Sequence, residues 1–365
     1  MNREHEVSGG YVSVVGGSNI DIVAKSGEVY FPGTSNPGTV TRTPGGVGRN
    51  LAHILALLGV EVEFYSIVGD DEAGLAVVDS VRRLGVRTDS VWVSERRKTG
   101  EYVAVQDADG SLASAVSDME VMELLLPDKL EPHKQRLSES AMIVADTNLP
   151  AATLRWLSEL AAASSTPLLV EPVSREKTSK LKDLPHPAAW ISPSETEFSE
   201  IFRIAKRGFE SLLIAIDETP NSHFRLTGSS GLRGCPSDNI LVTLGRRGVV
   251  LMHRHCEGTG PEDEEDGEAH EGEAGGERGN EDEGPGLWCG KWYRPYRVEV
   301  INDNGAGDAF FAGFIAALWH GKSDEEAVYF GMATAARVLR CPATVDEDLD
   351  FSTVEEYVRS NDRRD

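Results

Sequence analysis

A carboxylate, Asp308, stands beside two glycines in a stretch that could handle a negatively charged group. Residues 302–308 read Asn-Asp-Asn-Gly-Ala-Gly-Asp, between the β-branched pair Val300-Ile301 and an Ala/Phe-rich run. This pattern predicts a strand that turns through a glycine loop into a helix. Glycines let backbone N–H groups approach an anion closely, and a helix N-terminus adds N–H donors and partial positive charge.

Two interpretations of Asp308 are open at this point. Asp is common at helix N-caps, so an ordinary capping residue explains it as well as a functional role does. The alternative is a general base held beside an anion hole that the glycine loop forms. Other parts of the sequence are needed to distinguish these two interpretations.

Two further polar groups follow glycines near the N-terminus. After the Gly-Gly pair at 16–17, Asn19 and Asp21 alternate with apolar residues and would share one strand face. Either a solvent-exposed strand face or a site that binds sugar hydroxyls would explain these two residues equally well. Residues 44–50, Pro-Gly-Gly-Val-Gly-Arg-Asn, then enter a helix, but they lack the preceding strand and third glycine of the dinucleotide fingerprint. On that helix, His53 is expected to be partly buried, without a catalytic role.

Composition excludes several classes of protein. The 365-residue chain has a formal net charge of −24, without clustered Lys/Arg, which argues against nucleic-acid binding. Its four cysteines form no CxxC pair, so we expect reduced thiols and neither a zinc site nor a disulfide framework. There is no apolar run of the ~18–20 residues that span a membrane. Residues 1–9 lack the apolar core of a signal peptide, so we expect a cytoplasmic protein, with organelle import left open.

Strand and helix patterns alternate along most of the chain, which predicts a parallel sheet with helices on its faces. Short strands within about 22–43 and 91–117 do not suit that sheet. We expect them, including residues 91–93, to form a small antiparallel lid with a hairpin turn at Asp109-Gly110. Residues 257–286 are almost wholly Glu, Asp and Gly and should form a disordered, passive insertion.

The order and spacing of the three glycine-associated features resemble those of the ribokinase-like (PfkB) family of sugar and nucleoside kinases. A further stretch, residues 243–248, matches the family landmark that packs on the nucleotide. The resemblance covers residues 10–355, apart from the acidic insertion and residues 217–238. It implies an α/β fold, a three-layer α/β/α sandwich with a mainly parallel sheet and a small β lid.

The resemblance also implies how the residues would divide the work of phosphoryl transfer from ATP. Asp308 would be the general base, and the N–H groups of Gly305, Ala306 and Gly307 would form the anion hole. The residues expected to bind the sugar are Asn19, Asp21, Gly45, Gly46 and Asn50. The residues expected to bind ATP are Thr243, Gly245, Gly248, Asn302 and Lys177.

Magnesium is the expected metal, held mostly through water. Residues 194–197, Ser-Glu-Thr-Glu, lie where the family usually has Asn-x-x-Glu. Glu197 matches and is expected to act on Mg²⁺, whereas Ser194 replaces the Asn and suits a simple helix cap. A requirement for a monovalent cation (K⁺) and a homodimer formed through the lid are left open.

Several fragments are similar to the pseudouridine kinase branch of this family. Besides Asn302, they are residues 98–102, 107–110, 118–119, 146–150 and 171–177. The branch implies ATP-dependent conversion of pseudouridine to pseudouridine 5′-phosphate. The residues expected near the nucleoside or the lid are Thr99, Tyr102, Asp118 and Asn148, although an ordinary lid threonine and an N-cap would also explain Thr99 and Asp118. The alternatives are another ribonucleoside or sugar kinase, of ribokinase or adenosine kinase type, and a non-catalytic nucleoside-binding relative.

Overall fold

The computed structural model of the protein shows a large β-sheet with helices on both faces and a second, smaller sheet. The structure describes residues 10–202, 223–226, 235–254, 288–341 and 345–361. The acidic segment 257–286, predicted to be disordered, lies outside the described residues. Among them, no helix is long and apolar enough to cross a membrane.

Strands and helices alternate as the sequence predicts. The described residues form fourteen strands, β1 (Val12–Val15), β2 (Asn19–Ser26), β3 (Gly38–Gly45), β4 (Val62–Gly69), β5 (Val91–Ser94), β6 (Gly100–Gln106), β7 (Leu112–Asp118), β8 (Met142–Asp146), β9 (Leu168–Glu171), β10 (Ala188–Ile191), β11 (His223–Leu226), β12 (Ser237–Thr243), β13 (Val249–His253) and β14 (Trp288–Tyr293). They also form nine α-helices, α1 (Val47–Leu57), α2 (Glu72–Arg82), α3 (Pro127–Leu130), α4 (Lys134–Glu139), α5 (Ala151–Ser164), α6 (Glu195–Phe202), α7 (Ala306–Trp319), α8 (Asp324–Leu339) and α9 (Phe351–Ser360).

The large sheet has ten strands in the order β11-β14-β13-β12-β10-β9-β8-β1-β4-β5. The seven strands from β12 to β5 are parallel, and β13, β14 and β11 add to them in antiparallel fashion. Parallel strands bring their carboxyl ends to one edge, which we call the carboxyl edge. Residues that follow β1, β8, β9, β10 and β12 therefore converge there.

The strands are apolar on both faces because each face is covered by helices. Alternate residues of one strand enter different cores: Met142 and Val144 pack with α1, α7 and α8 residues, whereas Ile143 and Ala145 pack with α4, α5 and α6 residues. The two cores make the molecule a three-layer α/β/α sandwich, as expected.

The smaller sheet, the lid, has the strand order β3-β2-β6-β7. Its base is fixed because Ile20 of β2 packs against Val77 and Val78 of α2 and Val68 of β4. The predicted hairpin around Asp109-Gly110 is confirmed as the antiparallel pair β6–β7. However, β2 and β6 pair in parallel, so the expectation of a purely antiparallel lid is wrong.

Residues 91–93 do not belong to the lid. They lie in β5, which pairs in parallel with β4 at the edge of the large sheet, from Ser66 opposite Val91 to Gly69 opposite Ser94. The segment β4–α2–β5 is a parallel crossover unit, which supplies the edge of β4 with a hydrogen-bonding partner. The strand is so short that its sequence alone does not distinguish the two sheets.

The strand predicted before the glycine loop is also absent from the described residues. Val300 and Ile301 lie in an irregular segment, and 62% of Ile301 is exposed to solvent. The Ile301 N–H bonds instead to the carbonyl of Leu339 at the end of α8. The β-branched pair therefore covers a helix end and joins no sheet.

The cysteines differ from expectation at one position. Cys235 and Cys341 are free, but Cys289 in β14 is disulfide-bonded. Pairing depends on the distance between Cα atoms in the fold, which cysteine spacing along the chain does not reveal.

The contact between α1 and the turn after β1 tolerates no side chain. A Cβ atom at Gly48 would lie 2.6 Å from the Gly16 Cα and 2.9 Å from the Gly17 nitrogen. Because these are backbone atoms, α1 would have to move away.

We therefore expect Gly48→Ala to destabilise the fold by about 1–3 kcal/mol, measured as a lower Tm. The matched control is Gly307→Ala, also in the first turn of a helix, where a Cβ would meet no atom within 4 Å. That variant should keep or slightly raise the Tm, because alanine favours helix. Equal losses in both variants would contradict the close-contact explanation.

Candidate active site

Asp308 lies in the first turn of α7, but it is not the cap of that helix. The helix begins at Ala306, and its N-cap is Gly305, which adopts the left-handed conformation with φ 78°. Asp308 Oδ2 accepts a hydrogen bond of 2.8 Å from Asn50 Nδ2, on α1. The N-cap interpretation of Asp308 is therefore wrong, and its carboxylate bonds to a different helix.

The environment of Asp308 favours a carboxyl group that exchanges its proton near neutral pH. Burial raises the pKa of Asp308 to about 7, the hydrogen bond from Asn50 opposes this rise, and the nearby charges of Asp146 and Asp21 add to it. A group with a pKa near the working pH is well suited to act as a general base.

A small cavity of about 210 Å³ opens beside Asp308, and several strand ends contribute to it. It is lined by Val47, Glu171, Val173, Ser192, Ser194, Glu197, Thr243, Gly305, Gly307 and Asp308. The first N–H groups of a helix have no acceptor within their own helix, so the start of α7 presents donors to this cavity. The arrangement suits an anion that is held by these N–H groups next to Asp308, and we call this space the anion cavity.

The residues expected to bind the sugar lie together beside Asp308, and we call them the sugar-side residues (Asn19, Asp21, Gly45, Gly46 and Asn50). Asn19 Nδ2 donates to Asp21 Oδ1 at 2.7 Å at the start of β2. A Cβ atom at Gly45 would lie 2.1 Å from Asp21 Oδ2, so a larger residue there would have to displace the Asp21 carboxylate. Gly46, with φ 95°, begins α1 and receives the Asn50 N–H at its carbonyl.

The lid residues divide into two groups. Tyr102 stands opposite Asp21 in the register of β2 and β6, so both side chains share one face. Asp118 instead stands opposite Glu101, on the other face, and its Oδ2 lies 3.5 Å from Lys98 Nζ. The structure thus brings Tyr102, but not Asp118, to the residues expected to bind the sugar.

Thr99 is buried at the base of the lid. Its hydroxyl donates to Asp71 Oδ1 at 2.6 Å, and its N–H donates to Asp71 Oδ2 at 2.8 Å. The same hydroxyl oxygen accepts the Gly69 N–H. These bonds attach the lid to the start of α2, which makes Thr99 an anchor of the lid.

Lys177 lies with the sugar-side residues rather than with the expected nucleotide-binding ones. Its Nζ donates to Asn148 Oδ1 at 2.5 Å. Asn148 in turn touches Gly17, since a Cβ there would lie 2.6 Å from Asn148 Nδ2. Asp146 accepts the N–H groups of Gly17 and Asn148 and holds these two turns together. The expectation that Lys177 binds ATP stays a prediction, and the structure places its side chain against Asn148.

An apolar groove of about 510 Å³ runs from the cavity toward α8. Its lining includes Thr243, Gly245, Gly248, Val249, Tyr296, Val300, Phe310 and Met332. Thr243 and Gly307 line both the groove and the cavity, so the two spaces adjoin each other. Asn302 shapes the adjoining loop, since its Oδ1 accepts the Asn304 N–H.

Two buried glutamates face the cavity. Glu197 Oε2 accepts the Ser194 N–H at 2.7 Å, so Ser194 and Glu197 close the first turn of α6. Glu171, at the end of β9, has an Oε2 without a hydrogen-bond partner among the described residues, and burial followed by repulsion from Glu197 and Asp308 raises its pKa. A magnesium ion takes one or two carboxylates with water and phosphate oxygens, so this pair fits that ion.

Sequence reasoning missed Glu171 and Asp146 as members of the site. Both are the last residues of parallel strands, β9 and β8, and both reach the carboxyl edge. A carboxylate that closes an otherwise apolar strand was the available signal.

The raised pKa of Asp308 has a consequence for stability. In the unfolded chain its pKa is near 3.8, so the folded protein binds this proton more tightly and loses stability as the pH rises from about 4 to about 7. We expect Asp308→Asn to raise the Tm at pH 8 and to change it little at pH 4, in thermal unfolding across this range. Asp109→Asn, in the exposed lid turn, is the control and should bring no gain at pH 8. A Tm gain independent of pH would contradict this electrostatic origin.

Comparison with known proteins agrees with this architecture. The family described as pfkB family carbohydrate kinase matches residues 10–262 and 289–350. The chain is 28% identical to a pseudouridine kinase of Escherichia coli (strain K12), over 94% of this chain and 95% of the relative. It is 25% identical to a guanosine-inosine kinase of Exiguobacterium acetylicum, over 90% and 94% of the two chains.

The fold is similar to that of a solved structure. The Arabidopsis thaliana ribokinase in complex with ribose and ATP superposes with a TM-score of 0.73, at 19% identity, over 96% of this chain and 99% of the other. Together with the family match over most of the chain, this shows that the protein belongs to the pfkB family of carbohydrate kinases.

Proposed function

We propose that this kinase transfers the terminal phosphoryl group of ATP to the 5′-hydroxyl of pseudouridine, with Asp308 as the general base. The observation that carries the proposal is the position of Asp308, where the sugar-side residues, the anion cavity and the apolar groove meet. Pseudouridine is chosen among family substrates because a pseudouridine kinase is similar over nearly the whole chain.

The proposed reaction places each substrate on one side of Asp308. ATP occupies the groove along Thr243, Gly245 and Gly248, with its terminal phosphate in the cavity. The ribose lies on Gly45 and Gly46, with Asp21 accepting its hydroxyls. Asp308 takes the proton of the attacking hydroxyl as the oxygen–phosphorus bond forms, and ADP leaves along the groove.

The N–H groups at the start of α7 stabilise the transferred phosphoryl group. Gly305, Ala306 and Gly307 would supply these donors without bulky side chains, with the Ala306 N–H exchanging its long 3.4 Å bond to the Asp303 carbonyl for the phosphoryl group. The partial positive charge of the helix N-terminus adds to them. Glu197 and Glu171 are the residues that would hold Mg²⁺, which neutralises phosphate charge when bound. A requirement for K⁺ and a cytoplasmic location stay predictions.

The nucleobase is proposed to lie between Tyr102 and the Asn148–Lys177 pair. Tyr102 faces the sugar side from the lid, and Asn148 touches the turn at Gly17 beneath it. Asn148 and Lys177 are both hydrogen-bond donors and so can recognise base carbonyl groups. Thr99 and Asp118 are assigned to the lid and make no contact with the nucleoside in this proposal.

The substrate assignment predicts a clear preference among acceptors. ADP release should be fastest with pseudouridine when it is compared with uridine, adenosine, inosine, ribose and fructose, because the base contacts add binding energy in the transition state. Inosine is included because of the guanosine-inosine kinase relative. Activity on ribose or inosine with none on pseudouridine would reject the assignment, and no activity on any acceptor would favour a non-catalytic nucleoside-binding relative.

The role of Asp308 makes a second prediction. Asp308→Asn should lower kcat by about 10²–10⁴-fold, the usual contribution of general base catalysis. The dissociation constant for pseudouridine, measured by calorimetry, should change little, since the base acts mainly in the transition state. Near-normal turnover in a folded Asp308→Asn variant would remove Asp308 from this role.

We also infer that the lid forms a homodimer contact. Val40 and Val116 lie on the lid face opposite Asp21, and each is 66% exposed. The ion pair between Arg42 and Glu101 lies on the same face, so both charges are available to a second copy across a two-fold axis.

The dimer is tested by light scattering during gel filtration. Val116→Asp should convert a wild-type dimer to a monomer, because it buries a charge in the apolar contact. Val93→Asp, at an equally exposed valine of β5, should remain dimeric. A monomeric wild-type protein, or a dimer unaffected by Val116→Asp, would contradict the contact.

A further inference from the structure

Arg49, next to Asn50 on α1, is a buried cation that the reaction described above does not use. Only 5% of its surface is exposed. Its Nε donates to Ser80 Oγ at 2.9 Å, its Nη1 donates to Asn50 Oδ1 at 3.2 Å, and its Nη2 lies 2.8 Å from His53 Nδ1. The guanidinium group thus contacts Asn50, the residue whose side chain donates to Asp308.

These contacts determine which way the Asn50 amide points. Arginine has only donors, so the atom of Asn50 that faces it must be the carbonyl oxygen. The NH₂ group of Asn50 then faces Asp308 Oδ2 and donates to it. A flipped amide would place NH₂ against the guanidinium donors and oxygen against a carboxylate, which is unfavourable at both ends.

Arg49 is itself held from several sides. Ser80 on α2 fixes its Nε, and His53, one turn further along α1, fixes its Nη2. Burial and the charge of Arg49 lower the pKa of His53 to about 3, so the imidazole is neutral near pH 7. Its Nδ1 therefore accepts from Arg49, and its Nε2 carries the hydrogen, 3.3 Å from Glu347 Oε2.

We propose that Arg49 is a positioning residue for phosphoryl transfer, which fixes the Asn50 amide so that its NH₂ group always faces Asp308. Asp308 Oδ2 is then occupied by this bond, and Oδ1 is the oxygen that meets the attacking hydroxyl. The inference rests on the proposed role of Asp308 as the base. The proposal also gives His53 a role, since its imidazole holds the Arg49 side chain in place and does not contact substrate.

Arg49 has other charged neighbours, so the test must separate its action on Asn50 from a general field effect. Asp21, Arg83 and Glu347 also interact with its charge. A double-mutant cycle isolates the pairwise contribution. If Arg49 acts through Asn50, its removal matters only while Asn50 is present.

The experiment measures kcat for wild type, Arg49→Met, Asn50→Ala and the double variant, with saturating ATP and acceptor. Arg49→Met should lower kcat by about 10–100-fold in the wild-type background and by less than about 3-fold in the Asn50→Ala background. Equal losses in both backgrounds would overturn the proposal. Arg49→Lys, which keeps the buried charge but not the planar fork, is run in the same cycle in case Arg49→Met does not fold, and it should show the same coupling.

The pH dependence of kcat/KM distinguishes a positioning role of Arg49 from a merely structural one, which would leave that dependence unchanged. Loss of the Asn50 donor raises the pKa of Asp308, whose other charged neighbours are Asp21, Asp146 and Glu171. The acid limb of kcat/KM should therefore move to higher pH in Arg49→Met and Asn50→Ala alike, with no additional shift in the double variant. An unmoved acid limb in Arg49→Met would overturn the proposal.

A failure of the proposed role of Arg49 can be distinguished from a failure of the proposed function. The cycle uses whichever acceptor the substrate panel shows to be phosphorylated, so a failure of pseudouridine as substrate does not affect it. An inactive Asp308→Asn variant with additive effects of Arg49 and Asn50 would leave the base assigned and reject this inference alone.

Discussion

The site depends on one hydrogen bond, from Asn50 to Asp308, between residues 258 positions apart in the chain. It joins the start of α1 to the start of α7 and sets the distance between the sugar-side residues and the anion cavity. The close contact of Gly48 with the turn after β1 places α1 itself, so a backbone contact and a side-chain bond together define this geometry. Because neither can shift without the other, the two helix starts behave as one rigid unit.

The carboxyl groups around this bond are placed by the sheet. Asp146 and Glu171 end neighbouring parallel strands, and Asp21 is the third residue of the lid strand β2. Burial, followed by repulsion from the neighbouring carboxylates, raises the pKa of Asp308 and of Glu171, which costs folding stability near neutral pH.

Much of the fold could be predicted from the sequence, since apolar runs that alternate with amphipathic segments specify a parallel sheet covered on both faces. The glycine-associated residues of the site could also be predicted, because the positive φ and the close backbone contacts of Gly46 require glycine. What local patterns missed depends on distant pairing. The four residues of β5 pair with the edge strand β4 of the large sheet, and so short a strand does not specify its partner by sequence. Val300-Ile301 lies against the end of a helix instead of forming a strand. The contact of Lys177 with Asn148 depends on the packing of two loops 29 residues apart.

The hairpin of β13 and β14 has a consequence for the acidic segment between these strands. Since β13 starts at the carboxyl edge and β14 returns to it, the chain leaves and re-enters the sheet at the opposite edge, at His253 and Trp288. A five-residue strand is about 17 Å long, and at physiological salt charges are screened over about 8 Å. The two anchor points of this segment, whose thirteen acidic residues between 257 and 283 lie outside the described residues, are thus about two screening lengths from the place where an anionic nucleotide would bind. Insertions between the two anchor points can therefore vary in length without moving the ends of β13 and β14 at the carboxyl edge.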